Sequence, residues 1–169
     1  DVIFGLKSTG TYRTLSHIET LKIPAILFNE FVSRNHLLNQ IQSTQETIKF
    51  LQQTWLFGES ISSPIQSQIA QNITLKSYNK GEKIECEGLM LVKKGKVELI
   101  SLGTDKKESR YKVGQGDFWG GEKIISNTSK YMEVRAITQA DIYKITDVDI
   151  MKNIPIIRWK MMEQNEKRK

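Results

Sequence analysis
Ten residues, Val113-Gly114-Gln115-Gly116-Asp117-Phe118-Trp119-Gly120-Gly121-Glu122, form a glycine-rich corner that ends in a carboxylate, and a lysine, Lys130, follows eight positions later. The residue types suit an anion site. Glycines let backbone N–H groups approach an oxyanion closely, a carboxylate at the end of such a turn accepts a sugar hydroxyl, and a nearby cation balances a phosphate. Glu122 has a second reading, as a cap for a short helix that starts at the glycine pair, and both stand on the sequence. Catalytic chemistry finds less material. The two histidines, His17 and His36, lie before the corner, and no serine or the one cysteine, Cys86, has an evident base beside it.

The elements around the corner are short. Beyond Thr74, runs of four to eight residues are punctuated by Gly81, Gly88, Gly95, Gly103, Gly114, Gly116, Gly120 and Gly121, the pattern of an antiparallel barrel or sandwich. The predicted strands are Leu75 to Tyr78, Lys83 to Cys86, Met90 to Lys93, Lys96 to Ser101, Ser109 to Val113, Tyr131 to Ile137 and Asp141 to Ile145. Helices are expected on both sides. Leu37, Leu38, Ile41, Ile48, Leu51 and Trp55 recur at helical spacing between Asn35 and Trp55, a shorter helix runs from Ser60 to Ile73, and two pieces divided at Pro155 occupy Asp147 to Glu166. Before them, Thr11 to Ile23 reads as two strands, and Pro24 opens a helix. The expected fold class is α+β, a β jelly-roll barrel over about residues 74–146 with N- and C-terminal helices.

The chain's beginning resembles its end. Tyr12, Leu15 and Leu21-Lys22-Ile23, followed by a helix, can be laid over Tyr131, Val134 and Tyr143-Lys144-Ile145, followed by a helix, with a three-residue slip between the halves. On this reading residues 1–45 are a strand pair and helices left from a preceding tandem module, and residues 46–169 form the barrel domain. The first residue is Asp rather than Met, which points to a fragment or processed piece.

Composition sets the remaining bounds. With 169 residues, 38% apolar and 26% charged, the chain is of ordinary globular make-up. No apolar run reaches the roughly 20 residues of a membrane span, and no signal-peptide layout opens it, so a cytoplasmic location is expected. A lone cysteine forms no internal disulfide and no metal-ligand pair. The whole net charge of +6 arises after residue 72, where twenty basic residues face fourteen acidic ones. They are dispersed over turns and strand ends rather than striped, so no specific nucleic-acid surface is expected.

Five pieces in order resemble the cyclic nucleotide-binding domain family: Phe50-Leu51-Gln52-Gln53-Thr54-Trp55-Leu56-Phe57, Tyr78-Asn79-Lys80-Gly81-Glu82-Lys83-Ile84, Glu87-Gly88, Val92-Lys93-Lys94-Gly95-Lys96-Val97, and Gly116-Asp117-Phe118-Trp119-Gly120-Gly121-Glu122. The resemblance covers about residues 46–165. It implies a non-enzymatic regulatory module whose ligand-binding residues are Gly120, Gly121, Glu122, Lys130 and Tyr131. It further implies that Gly121 and Glu122 open a short helix facing the cyclic phosphate, with the glutamate on the ribose 2′-hydroxyl. Trp159 on the last helix is either a lid over the base or, with Ile156 and Met162 three positions to either side, part of the core or of an interface.

The family's Arg-Ala-Ala-Thr-Val-x-Ala becomes Lys130-Tyr131-Met132-Glu133-Val134-Arg135-Ala136, so a point charge replaces a bidentate fork. Simple alternation turns Met132 inward, where it plugs the space for a ligand. Two functions follow. One is a scaffolding or regulatory module with a degenerate pocket, without cofactor, serving a protein partner, a neighbouring domain or a second copy. The other is a working cAMP or cGMP sensor that relays ligand binding through its last helix to a kinase, channel or transcription regulator.

Overall fold
The structure, a computed structural model, describes residues 10–58, 61–103, 107–147 and 149–168. The chain divides into two compact units between Gln45 and Glu46. In the first, residues 11–24 carry neither helix nor strand. The strand pair expected there is not formed, because a strand requires a ladder partner and the described residues pair none with it. Helix α1 (Ala25–Arg34) follows Pro24 and ends where Asn35 donates both its backbone N–H, at 3.1 Å, and its side-chain amide, at 2.7 Å, to the Phe31 carbonyl. Helix α2 (Leu38–Gln53) starts in this unit and runs into the next.

The second unit places α3 (Ser63–Gln71) before seven strands: β1 (Ile73–Tyr78), β2 (Leu89–Lys94), β3 (Val97–Leu102), β4 (Glu108–Val113), β5 (Phe118–Trp119), β6 (Tyr131–Ala136) and β7 (Ala140–Ile145). A short helix, α4 (Gly121–Ser126), interrupts β5 and β6, and α5 (Asp149–Lys152) and α6 (Pro155–Lys167) close the chain. The strands form two antiparallel sheets, ordered β1-β7-β2-β5 and β4-β3-β6. The expected α+β barrel with flanking helices is thus present. Among the described residues, no helix is long and apolar enough to cross a membrane.

Strand β2 explains how sheet and helices share one core. Leu89 and Leu91 join Leu51, Phe57, Ile69, Ile157 and Met161 in a helix-facing cluster, while Met90 and Val92 face the barrel interior with Leu99, Val134 and Ile142. Each period-2 face therefore has its own apolar partner. A buried tether reinforces the outer layer: the Thr47 hydroxyl on α2 lies 3.3 Å from the Tyr143 hydroxyl on β7.

Two expectations need correction. Lys83 to Cys86 is not a strand. It makes a single bridge, Lys83 to Arg135, with Ile84 N–H donating to the Val134 carbonyl at 2.8 Å, before left-handed Gly88 (φ 79°) turns the chain into β2. Met132 does not point inward either. Ile100 pairs with Glu133 but Ser101 pairs with Tyr131, so Met132 is the extra residue of a β-bulge. The bulge resets the alternation: Tyr131, Val134 and Ala136 are buried, and Met132 is 56% exposed. Val134 and Ala136 keep the inward places expected of them.

The bulge and the double-faced strand separate two substitutions in urea unfolding. Leu91→Ala, in the helix-facing core, should lower stability by about 2–5 kcal/mol, whereas Met132→Ala should stay within about 0.5 kcal/mol of the parent. A large loss at Met132 would mean that β6 is registered without its bulge.

Candidate functional site
The glycine corner is fastened to β2. Asp117 accepts the Gly114 N–H through Oδ2 at 2.8 Å, Gly116 N–H donates to the Val92 carbonyl at 2.9 Å, and Val92 N–H returns to the Asp117 carbonyl at 2.9 Å. Phe118 and Trp119 then pair with Leu91 and Met90 as β5, a strand too short for its pattern to be read within a glycine-rich run. Gly120 follows in the left-handed region (φ 89°), and a Cβ there would stand 2.3 Å from the Gly88 carbonyl oxygen. Only glycine allows two chain segments this close. Beside them, burial and the Glu122 charge push the Cys86 thiol up to about 11, so it is protonated at neutral pH.

What faces the cradle is the protein's own α6. A Cβ on Gly121 would meet the Met161 side chain at 3.0–3.2 Å. Further along the same stripe of α6, at i+3, i+4 and i+7 from Met161, come Gln164, Asn165 and Arg168. The Lys130 ammonium donates to the Arg168 carbonyl at 2.7 Å and to the Asn165 carbonyl at 3.3 Å. It also lies 5.7 Å from the ring centre of Tyr111 and 5.8 Å from that of Tyr131. Lysine thus caps the helix C-terminus, a favourable position for a cation.

Arg168 enters from this helix end. It is buried, and Nη1 donates to the Phe118 carbonyl at 2.7 Å. With the Gln164 amide oxygen turned toward the guanidinium, Nε and Nη2 donate to it at 3.2 and 2.6 Å. Glu122 is also buried. Burial raises its carboxyl above the ordinary 4.5, opposed in turn by the N–H groups of Glu122 and Gly120 and by the charges of Arg168 and Lys130. Its carboxyl therefore lies near the backbone N–H groups of Gly120 and Glu122, at the start of α4. The Tyr131 hydroxyl is buried without a hydrogen bond of normal geometry, and burial raises its pKa, with Arg168 close enough to act in the opposite sense.

Gly120, Gly121, Glu122, Lys130 and Tyr131 are therefore gathered in one place. Trp159 is not. It is 57% exposed, and the residues of α6 that face the cradle lie on another stripe. The guanidinium of Arg135, on β6, is exposed and paired with Glu133 at 2.5 Å. The guanidinium that does arrive, Arg168, was hidden in Glu166-Lys167-Arg168-Lys169, a basic run that reads as a solvated helix end. A cleft of about 690 Å³ opens along α4, lined by Gly88, Lys123, Ile124, Asn127 and Lys152 among others, and does not include Glu122, Lys130 or Tyr131.

No protein-family model matches the chain, and no curated protein does. Solved structures do. The regulatory subunit of a cAMP-independent protein kinase A from Trypanosoma cruzi, bound to guanosine, superposes with a TM-score of 0.62 at 20% identity, over 82% of this chain and 53% of that one. The regulatory domain of Toxoplasma gondii PKA with cAMP gives 0.66 at 13% identity, over 85% and 56%. The sensor domain of the transcriptional regulator DNR from Pseudomonas aeruginosa gives 0.58 at 12%, over 74% and 89%. This chain spans little more than half the length of the first two. At these identities the similarity establishes the fold, which is that of the cyclic nucleotide-binding domain.

Arg168→Ala removes charge-assisted hydrogen bonds from a buried position and should cost about 1.5–3 kcal/mol in urea unfolding, while Trp159→Ala should change stability by no more than about 0.5 kcal/mol. The Glu122 carboxyl gives a pH signature. Its folded pKa is raised, so its contribution is fully present below the ordinary carboxylate range and is lost as pH climbs through the folded value. Between about pH 4 and 7, Glu122→Gln should therefore lose less stability than the parent. An identical slope in both proteins would show that Glu122 titrates as it does in the unfolded chain.

Proposed function
We propose that this chain is a non-enzymatic regulatory module, part of a larger multidomain protein or complex, in which the ligand cradle of a cyclic nucleotide-binding fold is filled by the module's own last helix. One observation carries this reading: Lys130, standing where the family's phosphate-binding arginine would stand, bonds the carbonyls of Asn165 and Arg168. A helix C-terminus presents outward-facing carbonyl oxygens with partial negative charge. It therefore takes the position of the phosphate, and Met161 against Gly121 occupies the approach to it. The plug is α6, not Met132. The module needs no cofactor on this reading, and its partners are proteins or neighbouring domains in the cytoplasm.

A second reading is favoured by Glu122, whose buried carboxylate stands beside Gly121 as a sugar-binding group would. In that case cAMP or cGMP evicts α6, and the helix relays the event to an effector. The solved structures of the same fold bound to cAMP or to guanosine support a nucleoside-sized ligand as the probe.

Calorimetric titration of the whole chain with cAMP, cGMP and guanosine separates the two. The occupied cradle should give no saturable heat tighter than about 1 mM. Micromolar binding that disappears in Glu122→Ala would establish the sensor and refute the filled cradle.

A further inference from the structure
The cleft along α4 shares no residue with the cradle or with α6. It opens between α4 and α5 at the ends of β2 and β7, and its volume of about 690 Å³ lies within the roughly 300–1,000 Å³ usual for small-molecule pockets. Gly88 and Thr146 line it from the strand ends, Lys123, Ile124, Ile125 and Asn127 from α4 and its cap, and Lys152 from α5. One wall is bare backbone. Gly88 holds a φ of 79°, and a Cβ there would stand 2.2 Å from the Ile145 carbonyl oxygen, so no side chain can fill the space from that side.

The charges around the cleft leave one cation over. Glu87, next to Gly88, is paired with Lys144, and Asp149 is paired with Lys152 at 2.9 Å. Lys123 has no such partner: among the described residues its ammonium makes neither an ion pair nor a hydrogen bond, though it lies near enough to Glu87 and Cys86 to favour their charged forms. The Asn127 amide and the Thr146 hydroxyl add donors that no described residue accepts from. Beside these polar groups, Ile124 and Ile125 rest on the helix-facing core and are only half-buried, so the cleft keeps an apolar side. We propose that the cleft is a binding site, apart from the cradle, for a small organic anion whose carboxylate or phosphate meets Lys123 and whose apolar body covers Ile124 and Ile125. An inorganic anion gains the charge contact alone, and a neutral hydrocarbon the apolar contact alone. Helix α4 also carries Gly121 and Glu122, so the occupant rests on the element that shapes the cradle without entering it.

Octanoate and octyl phosphate probe the site in the 169-residue chain, with octanol supplying the apolar body alone and inorganic phosphate the charge alone. In amide NMR titrations at least one of the two amphiphilic anions should saturate with a Kd below about 1 mM, shifting Gly88, residues 123–127 and Thr146 while leaving Lys130, Tyr131 and Arg168 in place. The tighter of the two identifies the head group. Lys123→Gln, at an exposed position, should weaken that binding about fivefold with an unchanged urea midpoint, and Thr146→Trp, which fills the cleft from an exposed position, should abolish it. Lack of saturation by both anions overturns the proposal. So does octanol or inorganic phosphate binding as tightly as the anions, an unchanged affinity in Lys123→Gln, or shifts centred on Lys130 and Tyr131 or on the exposed apolar residues 12–27.

Discussion
Everything about the cradle depends on one cation meeting one helix end. Lys130 offers three donors on a compact ammonium, and the end of α6 offers the carbonyls of Asn165 and Arg168. A guanidinium fork would match two oxygens of one planar or tetrahedral group, but the two carbonyls here belong to different peptide units. Lysine is therefore suited to the partner it has. The residue that looks like a loss in a phosphate site is a fitted residue in a helix-capping site.

The seat of α6 is also part of the core. Met161 and Ile157 belong to the cluster that contains Leu89, Leu91, Tyr143 and Ile145. Phe118 joins the two roles in a single residue, with its ring in that cluster and its carbonyl accepting from Arg168. Trp55 packs parallel to the same ring, 6.3 Å between centres, and its carbonyl accepts from Lys160 at 2.5 Å. The cradle cannot open without disturbing side chains that hold the helices to the sheet, so cradle and fold share their energetics.

Much of this was legible in the residues. The Gly punctuation located strands β1 to β4, β6 and β7 to within a few residues, because short runs bounded by turn residues leave little room for any other element. The corner at Gly120 and Gly121 was legible because its glycines satisfy close backbone approach. The bulge at Met132 was not. Tyr-Met-Glu-Val alternates as well in one phase as the other, and only pairing with β3 decides which residue is extra. Arg168 was hidden for a related reason: charged residues at a helix end look solvated unless a tertiary partner is known. Strand β5, two residues long, carries no period to detect.

These couplings set a threshold for any ligand of the cradle. To move the helix from 99% seated to 99% released, a ligand must favour the released state by about 10⁴-fold, or about 5.5 kcal/mol. A cyclic nucleotide arriving here finds no bidentate guanidinium on β6, a lysine engaged with a helix end, and a glutamate turned toward the first N–H groups of α4. If the cradle is filled as proposed, binding would exchange contacts of Lys130 and Gly121 with α6 rather than add new ones. Only the difference counts toward the threshold, and the loss of Met161 and Arg168 from buried positions subtracts from it. On the proposed reading, the cradle stays filled because α6 covers the groups a ligand would need, from inside one chain.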